Sequence, residues 1–151
     1  MMKILLTTLN AKFVHTSLAL WYLYRFCRND FPGLKFREFN INQELAWVFG
    51  EIYSEKADIV AFSCNIWNIE QTLIITKRLK DLAPRTRIIL GGPEVWAEPE
   101  EILAKNPQID MIVIGEGELT FRELLEEYTK DSGAWEKISG LVFREGPSLI
   151  R

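Results

Sequence analysis

Residues Lys3 to Leu20 read KILLTTLNAKFVHTSLAL: an apolar, partly β-branched run that passes into a polar loop and then into a helix-forming stretch. Lys3 to Leu9 is mostly apolar without alternation, the pattern of a strand covered on both sides, and it is expected in the middle of a parallel sheet. Ser17 to Asn29 follows as a helix whose apolar residues, Leu18, Leu20, Trp21, Tyr22, Leu23, Tyr24 and Phe26, cover nearly every face. One sheet face cannot bury them all. A buried strand, a long loop and a helix with surplus apolar surface define the first unit of an open α/β sheet.

The same alternation repeats along the chain as βαβαβαβαβα, which predicts a doubly wound, five-stranded parallel sheet with helices on both faces. Phe31-Pro32-Gly33-Leu34 breaks the first helix, and Leu34 to Phe39 (LKFREF) alternates apolar with charged residues, as a half-exposed edge strand does. Asn42 is expected to cap a second helix, in which Leu45, Val48, Phe49 and Ile52 form one stripe. Asp58 to Ser63 is the next buried strand. Asn68 and Gln71 have capping-box spacing before a helix carrying Ile75, Leu79 and Leu82, which Pro84 stops. Arg87 to Leu90 and Asp110 to Ile114 supply two more strands, separated by a short helix with Pro99 in its first turn. A last helix is predicted over about Leu119 to Tyr128, and Ile138 to Arg144 with the turn Glu145-Gly146-Pro147 leaves room for an extra terminal strand or hairpin.

Length and composition bound the function. At 151 residues, 48% hydrophobic and 12% aromatic, the chain suits one domain with a filled core. A net charge of −3 lacks the basic excess that neutralises phosphates, so nucleic acid is not an expected partner. Cys27 and Cys64 form neither a disulfide scaffold nor a zinc spacing, which fits a reducing, cytoplasmic setting. MMKILLTTL has no leader-type apolar core, and no stretch reads as a membrane span.

In such sheets ligands bind beyond the carboxyl ends of the strands, so four loops are candidates: Asn10 to Thr16, Cys64 to Asn68, Gly91 to Glu98 and Gly115 to Thr120. Asn10, Ser63 and Gly115 stand where a phosphoryl receiver needs acids, an Asp and a Lys. The one G-x-G, Gly115-Glu116-Gly117, lies in the last unit and lacks the third glycine of a dinucleotide fingerprint. A P-loop and a G-x-S-x-G nucleophile elbow are absent too. What remains is a long first loop with the only histidine, His15, and strands ending in small residues, Ser63 and Gly91-Gly92. Small residues leave a slot, and Glu116 and Glu118 would repel an anion, so a mostly neutral ligand is favoured. A free-standing transferase of this fold would need a catalytic base, and His15 is the sole candidate.

Four segments carry a resemblance: the opening KILLTTLNAKFVHTSLAL, AFSCN (61–65), IILGGPEV (88–95), and IDMIVIGEGELTF (109–121) with ISGLVFR (138–144) after it. On these the chain resembles the N-terminal cobalamin-binding domain of radical S-adenosylmethionine enzymes, a group that includes anaerobic Mg-protoporphyrin monomethyl ester cyclases and methyltransferases. The resemblance implies a flavodoxin-like fold holding cobalamin at the carboxyl edge of the sheet. Its contacts would come from Leu9, Asn10, Ala11, His15 and Thr16; from Ser63, Cys64 and Asn65; from Gly91, Gly92, Pro93 and Glu94; and from Gly115, Glu116 and Gly117. It also implies a following catalytic domain, an oxidoreductase or methyltransferase with a [4Fe-4S] cluster on C-x-x-x-C-x-x-C and S-adenosylmethionine. No such cysteine triad occurs in these residues, so the expectation is a binding domain over 1–133 and, over 134–151, the start of a linker or hairpin toward a radical domain that is missing here.

The wider fold carries a D-x-H-x-x-G signature whose His ligates cobalt. Here Phe13 and Leu18 replace the Asp and the Gly around His15, which favours contact with the corrin edge over ligation, and no metal ligand is assigned. Expected partners are the chain's own radical domain and a small-molecule substrate. Trp67 and Trp96 on strand-end loops, with Trp21, Tyr22, Tyr24 and Trp47, are expected to cover the site or dock on that domain, or to let the fragment self-associate. The rival expectation is a docking or substrate-covering domain of the same parent that has lost cobalamin.

Overall fold

The computed structural model describes residues 1–151. Strands β1 (Ile4–Asn10), β2 (Leu34–Asn40), β3 (Ile59–Ser63), β4 (Arg87–Gly91) and β5 (Met111–Val113) run parallel, and β6 (Leu141–Glu145) and β7 (Ser148–Ile150) add an antiparallel hairpin. Their order is β2-β1-β3-β4-β5-β6-β7. The five parallel strands form the predicted doubly wound unit, and the terminal hairpin enlarges it to seven strands. β1 lies one strand in from the edge instead of at the middle, since β2 alone flanks it on that side. The chain steps outward from β1 to β2 and then returns to β3, so the strand order reverses between the carboxyl ends of β1 and β3. A crevice opens at such a reversal because the flanking connections leave to opposite faces.

Period-two alternation sorts the strand residues into two cores. Leu5, Val60, Ile88, Leu90, Ile112 and Val142 face α2 (Leu45–Ser54), α3 (Ile69–Leu82) and α4 (Pro99–Lys105). Ile4, Leu6, Ala61, Ile89, Val113 and Phe143 face α1 (Leu18–Cys27) and α5 (Glu118–Lys130). α1 buries only Leu20 and Cys27 fully, so its surplus aromatics stay at the surface. Trp21, Tyr24 and Phe36 gather there, with ring centroids 5.9 to 6.1 Å apart.

Two predicted caps do not form. α2 begins at Leu45 behind Glu44, while Asn42 donates its backbone N–H to Asn40 Oδ1 at 3.1 Å inside a preceding turn. Asn68 does stand at the start of α3, but its side chain caps nothing, and Gln71 donates to the Ile41 carbonyl at 3.2 Å. The first helix is also shorter than predicted, starting behind Ser17, whose Oγ accepts from Leu20 N–H at 3.4 Å, and ending at Cys27. Leu82 ends α3 exposed, off its buried stripe.

At the amino end of the sheet Asp110 ties three elements together. Its carboxylate accepts from Lys80 Nζ and from Ile88 N–H, each at 2.7 Å, and from Arg87 Nη1 at 3.2 Å. The predicted strand Asp110–Ile114 therefore shortens to Met111–Val113, because Asp110 is drawn toward β4. Likewise β6 starts at Leu141 and not at Ile138, after a 3-10 turn over Trp135–Lys137 and a left-handed Gly140 at φ +81°.

Candidate functional site

The cleft lies at the carboxyl edge, between α1 and α5, and measures about 730 Å³. Such a volume is ordinary for organic ligands. On its floor the face toward α1 and α5 carries Ala61 on β3, Ile89 and Gly91 on β4, and Val113 on β5; Leu23 and Phe121 form side walls. Ala61 and Gly91 are small where neighbouring strand positions are branched, and that leaves the slot open.

The first loop is held shut by β2. Asn10 donates Nδ2 to the His15 carbonyl at 3.0 Å and to Glu38 Oε1 at 2.9 Å, and the same oxygen accepts from Ser17 N–H. A carboxylate thus satisfies both the loop and the first free amide of α1, a favourable place for negative charge. His15 sits on this loop at the rim of the cleft. Its backbone is fixed, but no side chain hydrogen-bonds its imidazole. Leu18, one turn on, is exposed on the cleft wall.

The second loop is held by Asn68, which is fully buried. Its Nδ2 faces three acceptors, the Leu9 carbonyl at 3.0 Å and Thr8 Oγ1 and the Ser63 carbonyl at 3.2 Å each, while its Oδ1 accepts from Asn65 N–H at 2.8 Å. Trp67 Nε1 also donates to the Leu9 carbonyl, at 3.2 Å, which fixes a half-exposed indole against the cleft. The ends of β1 and β3 are therefore joined by side chains beyond the last ladder pair, Thr7↔Phe62.

Two glycines in the third loop do different jobs. Gly92 has φ +100°, and a Cβ there would come within 2.8 Å of Cys64 N and nearer still to its carbonyl oxygen. Backbone packing on Cys64, not access for a ligand, demands glycine. A Cβ on Gly91 would meet only Val113, at 3.7 Å or more, so a side chain there would fit the backbone and enter the slot. Gly117 precedes α5, and its Cβ would stand 3.4 Å from Val113 Cγ1.

Of the predicted contacts, Asn10, Ala11, His15, Thr16, Ser63, Asn65, Gly91, Gly92, Pro93, Gly115, Glu116 and Gly117 line this one cleft. Leu9, Cys64 and Glu94 do not. Leu9 points into the core toward α2 and α3 and offers only its carbonyl. Cys64 is wholly buried, so its thiol is pushed up by desolvation, and its backbone is engaged on both sides, the N–H donating to the Gly91 carbonyl and the carbonyl accepting from Glu94 N–H. Glu94 is exposed on the 3-10 turn after Gly92. Ala61, Val113 and Leu23 were missed. The first two are marked by strand alternation, as small or short side chains on the face shared with Gly91.

No lysine or arginine lines the cleft, whereas Glu116 and Glu118 do and neither is ion-paired. Together with apolar walls this disfavours polyphosphates and suits a large, neutral or cationic organic ligand. A slot of this kind at the switch point of an open, doubly wound sheet is where domains of this class bind ligands.

Residues 4–125 match the family described as the B12 binding domain, and the chain belongs to that family. It is 32% identical over 93 residues to the cobalamin-dependent radical SAM methyltransferase TokK of Streptomyces tokunonensis, covering 62% of this chain and 14% of that protein. It is 28% identical over 111 residues to the anaerobic magnesium-protoporphyrin IX monomethyl ester cyclase of Cereibacter sphaeroides, covering 72% of this chain and 18% of the cyclase. The chain thus spans less than a fifth of either relative. Among solved structures, the radical S-adenosylmethionine methyltransferase TsrM from Kitasatospora setae superposes with a TM-score of 0.82 at 16% identity, covering 98% of this chain and 29% of TsrM, a likeness of fold. No helix is long and apolar enough to cross a membrane.

Proposed function

We propose that this chain holds cobalamin at the carboxyl edge of its sheet, as the binding domain of a radical S-adenosylmethionine iron–sulfur enzyme, either a methyltransferase or an oxidoreductase. The observation that carries the reading is the slot between α1 and α5, floored by Ala61, Gly91 and Val113 and free of lysine and arginine. Its chemistry fits the group: a long, mostly neutral appendage can enter an apolar slot, and a macrocycle can lie across the mouth formed by Ala11, Thr16, Asn65, Trp67 and Pro93. Bound cobalamin supplies methyl-group or electron transfer, which no side chain provides. The chain's own residues supply the seat. Asn10, Glu38 and Asn68 fix the loops before the ligand arrives, which lowers the ordering cost of binding. His15 contacts the corrin edge without ligating the metal, since nothing orients its ring.

Exposed apolar side chains gather around the same mouth: Phe13 and Val14 in the first loop, Leu18 on α1, Ile66 and Trp67 in the second loop, and Leu119 on α5. A collar of that kind suits burial against another domain. In this reading it docks on the enzyme's own radical domain, with the [4Fe-4S] cluster and S-adenosylmethionine on the far side, and residues 134–151 form the approach to that domain.

The test is retention of the cofactor. Hydroxocobalamin mixed anaerobically with the purified chain should co-elute on gel filtration in near-equimolar amount with an altered visible spectrum. Failure of both this chain and the intact parent enzyme to retain it overturns the reading in favour of a docking domain without cobalamin.

A further inference from the structure

We propose a second binding site, for a small aromatic carboxylate, at the opposite end of the sheet from the cleft. Below the pair Met111↔Phe143 the antiparallel ladder stops, because Asp110 turns its N–H to the Ile88 carbonyl at 3.0 Å while β6 runs on through Arg144. The strands part around a cavity of about 380 Å³ lined by Arg87, Asp110, Tyr128, Trp135 and Arg144. That is room for a single-ring ligand.

The polar side chains of this cavity are donors in surplus. Asp110, the one carboxylate, already accepts from Lys80, Ile88 and Arg87. Arg144 gives Nη2 to the Leu103 carbonyl, but its Nε is buried with no partner. The Tyr128 hydroxyl finds only the thioether of Met111, at 3.9 Å, a weak acceptor. Desolvation holds that phenol protonated, so it stays a donor. Arg87 uses one N–H on Asp110 and leaves the others free, with about half its side chain exposed at the opening. Among the charged side chains that line the cavity, Arg87 and Arg144 outnumber Asp110.

Unpaired donors under a net positive charge call for an oxyanion, and guanidinium groups match the planar fork of a carboxylate. The body of the ligand is set by the walls. Tyr128 and Trp135 lie with centroids 4.7 Å apart and planes tilted by 51°, and Met111 and Phe143 complete an apolar side. A flat ring carrying one carboxylate satisfies both halves. Nothing here depends on cobalamin, since no residue is shared with the cleft.

The test follows the Trp135 indole N–H of the 151-residue chain by heteronuclear NMR during titration with sodium benzoate, its cationic isostere benzamidine, and inorganic phosphate. Benzoate should produce saturable shifts at Trp135, phosphate weaker ones, and benzamidine none. Tyr128→Phe and Arg87→Gln, both mild in shape, should each weaken benzoate about tenfold, the worth of one charge-assisted hydrogen bond. Shifts that do not saturate, that benzamidine reproduces, or that survive both substitutions unchanged would overturn the proposal.

Discussion

The Asn68 amide donates to the Leu9 carbonyl at 3.0 Å, linking the first residue before α3 to the end of β1 across 59 positions of sequence. The same amide reaches the Ser63 carbonyl and Thr8 Oγ1, so one buried side chain holds two strand ends at the mouth of the cleft. Asn68→Ala strands these acceptors away from water, and unmet buried groups cost about 1–3 kcal/mol each. We expect a loss of about 2–3 kcal/mol, part of the deficit being met by Trp67 and by Thr8 donating to Ser63. Urea unfolding with an unchanged m-value checks it. Asn68→Asp should be worse still, since a carboxylate would face three acceptors.

Neighbouring glycines should separate folding from binding. Gly92→Ala drives a Cβ into the Cys64 backbone at a left-handed φ, and a loss of more than about 2 kcal/mol is expected. Gly91→Leu keeps an allowed backbone and fills the slot. It should melt near the parent protein and retain no hydroxocobalamin on gel filtration. Normal retention by Gly91→Leu would place the ligand elsewhere.

These two positions also mark how far the sequence could be read. The alternation of buried strands with helices exposed the sheet, and Gly91-Gly92 and Gly115-Glu116-Gly117 pointed to the edge where the cleft lies. Which glycine serves packing and which serves space depends on how β3 and β4 end relative to each other, a relation between residues 28 apart that no local pattern encodes. Asn68 was misread for a similar reason: capping-box spacing is a local signal, and the acceptors that claimed its amide lie on β1 and at the end of β3. Cys64 and Leu9 sit beside the site in sequence yet face the core, because side-chain direction alternates along a strand and its continuation.

Acid stability should depend on Glu55. Hydrogen bonds and charge from Lys35, then from Arg37, hold its carboxyl below the usual 4.5, against a smaller opposing effect of burial. A depressed folded pKa means stability that is present above the unfolded value and lost as pH falls through the folded one. Glu55→Gln should therefore lower stability modestly near pH 7, by less than about 1 kcal/mol because Lys35 is largely exposed. It should also flatten the acid limb that begins near pH 4.5. Thermal melts from pH 7 to pH 3 measure both.

His15 offers the sharpest view of how the cofactor would be held. A histidine that ligates a metal needs its second nitrogen engaged, commonly by a carboxylate that fixes the tautomer and raises basicity. In this chain the nearby carboxylate, Glu38, is committed to Asn10 and Ser17 N–H, and it holds the His15 loop by its backbone without touching the ring. Replacing the imidazole should then leave the metal's surroundings as they were. His15→Ala is expected to retain hydroxocobalamin with the parent visible spectrum and only a small loss of affinity, whereas Glu38→Gln, which weakens the clamp on the whole loop, should reduce retention more. A spectrum that changes in His15→Ala and recovers on adding imidazole would establish ligation, and with it a route to orienting the ring that operates only once the cofactor is in place.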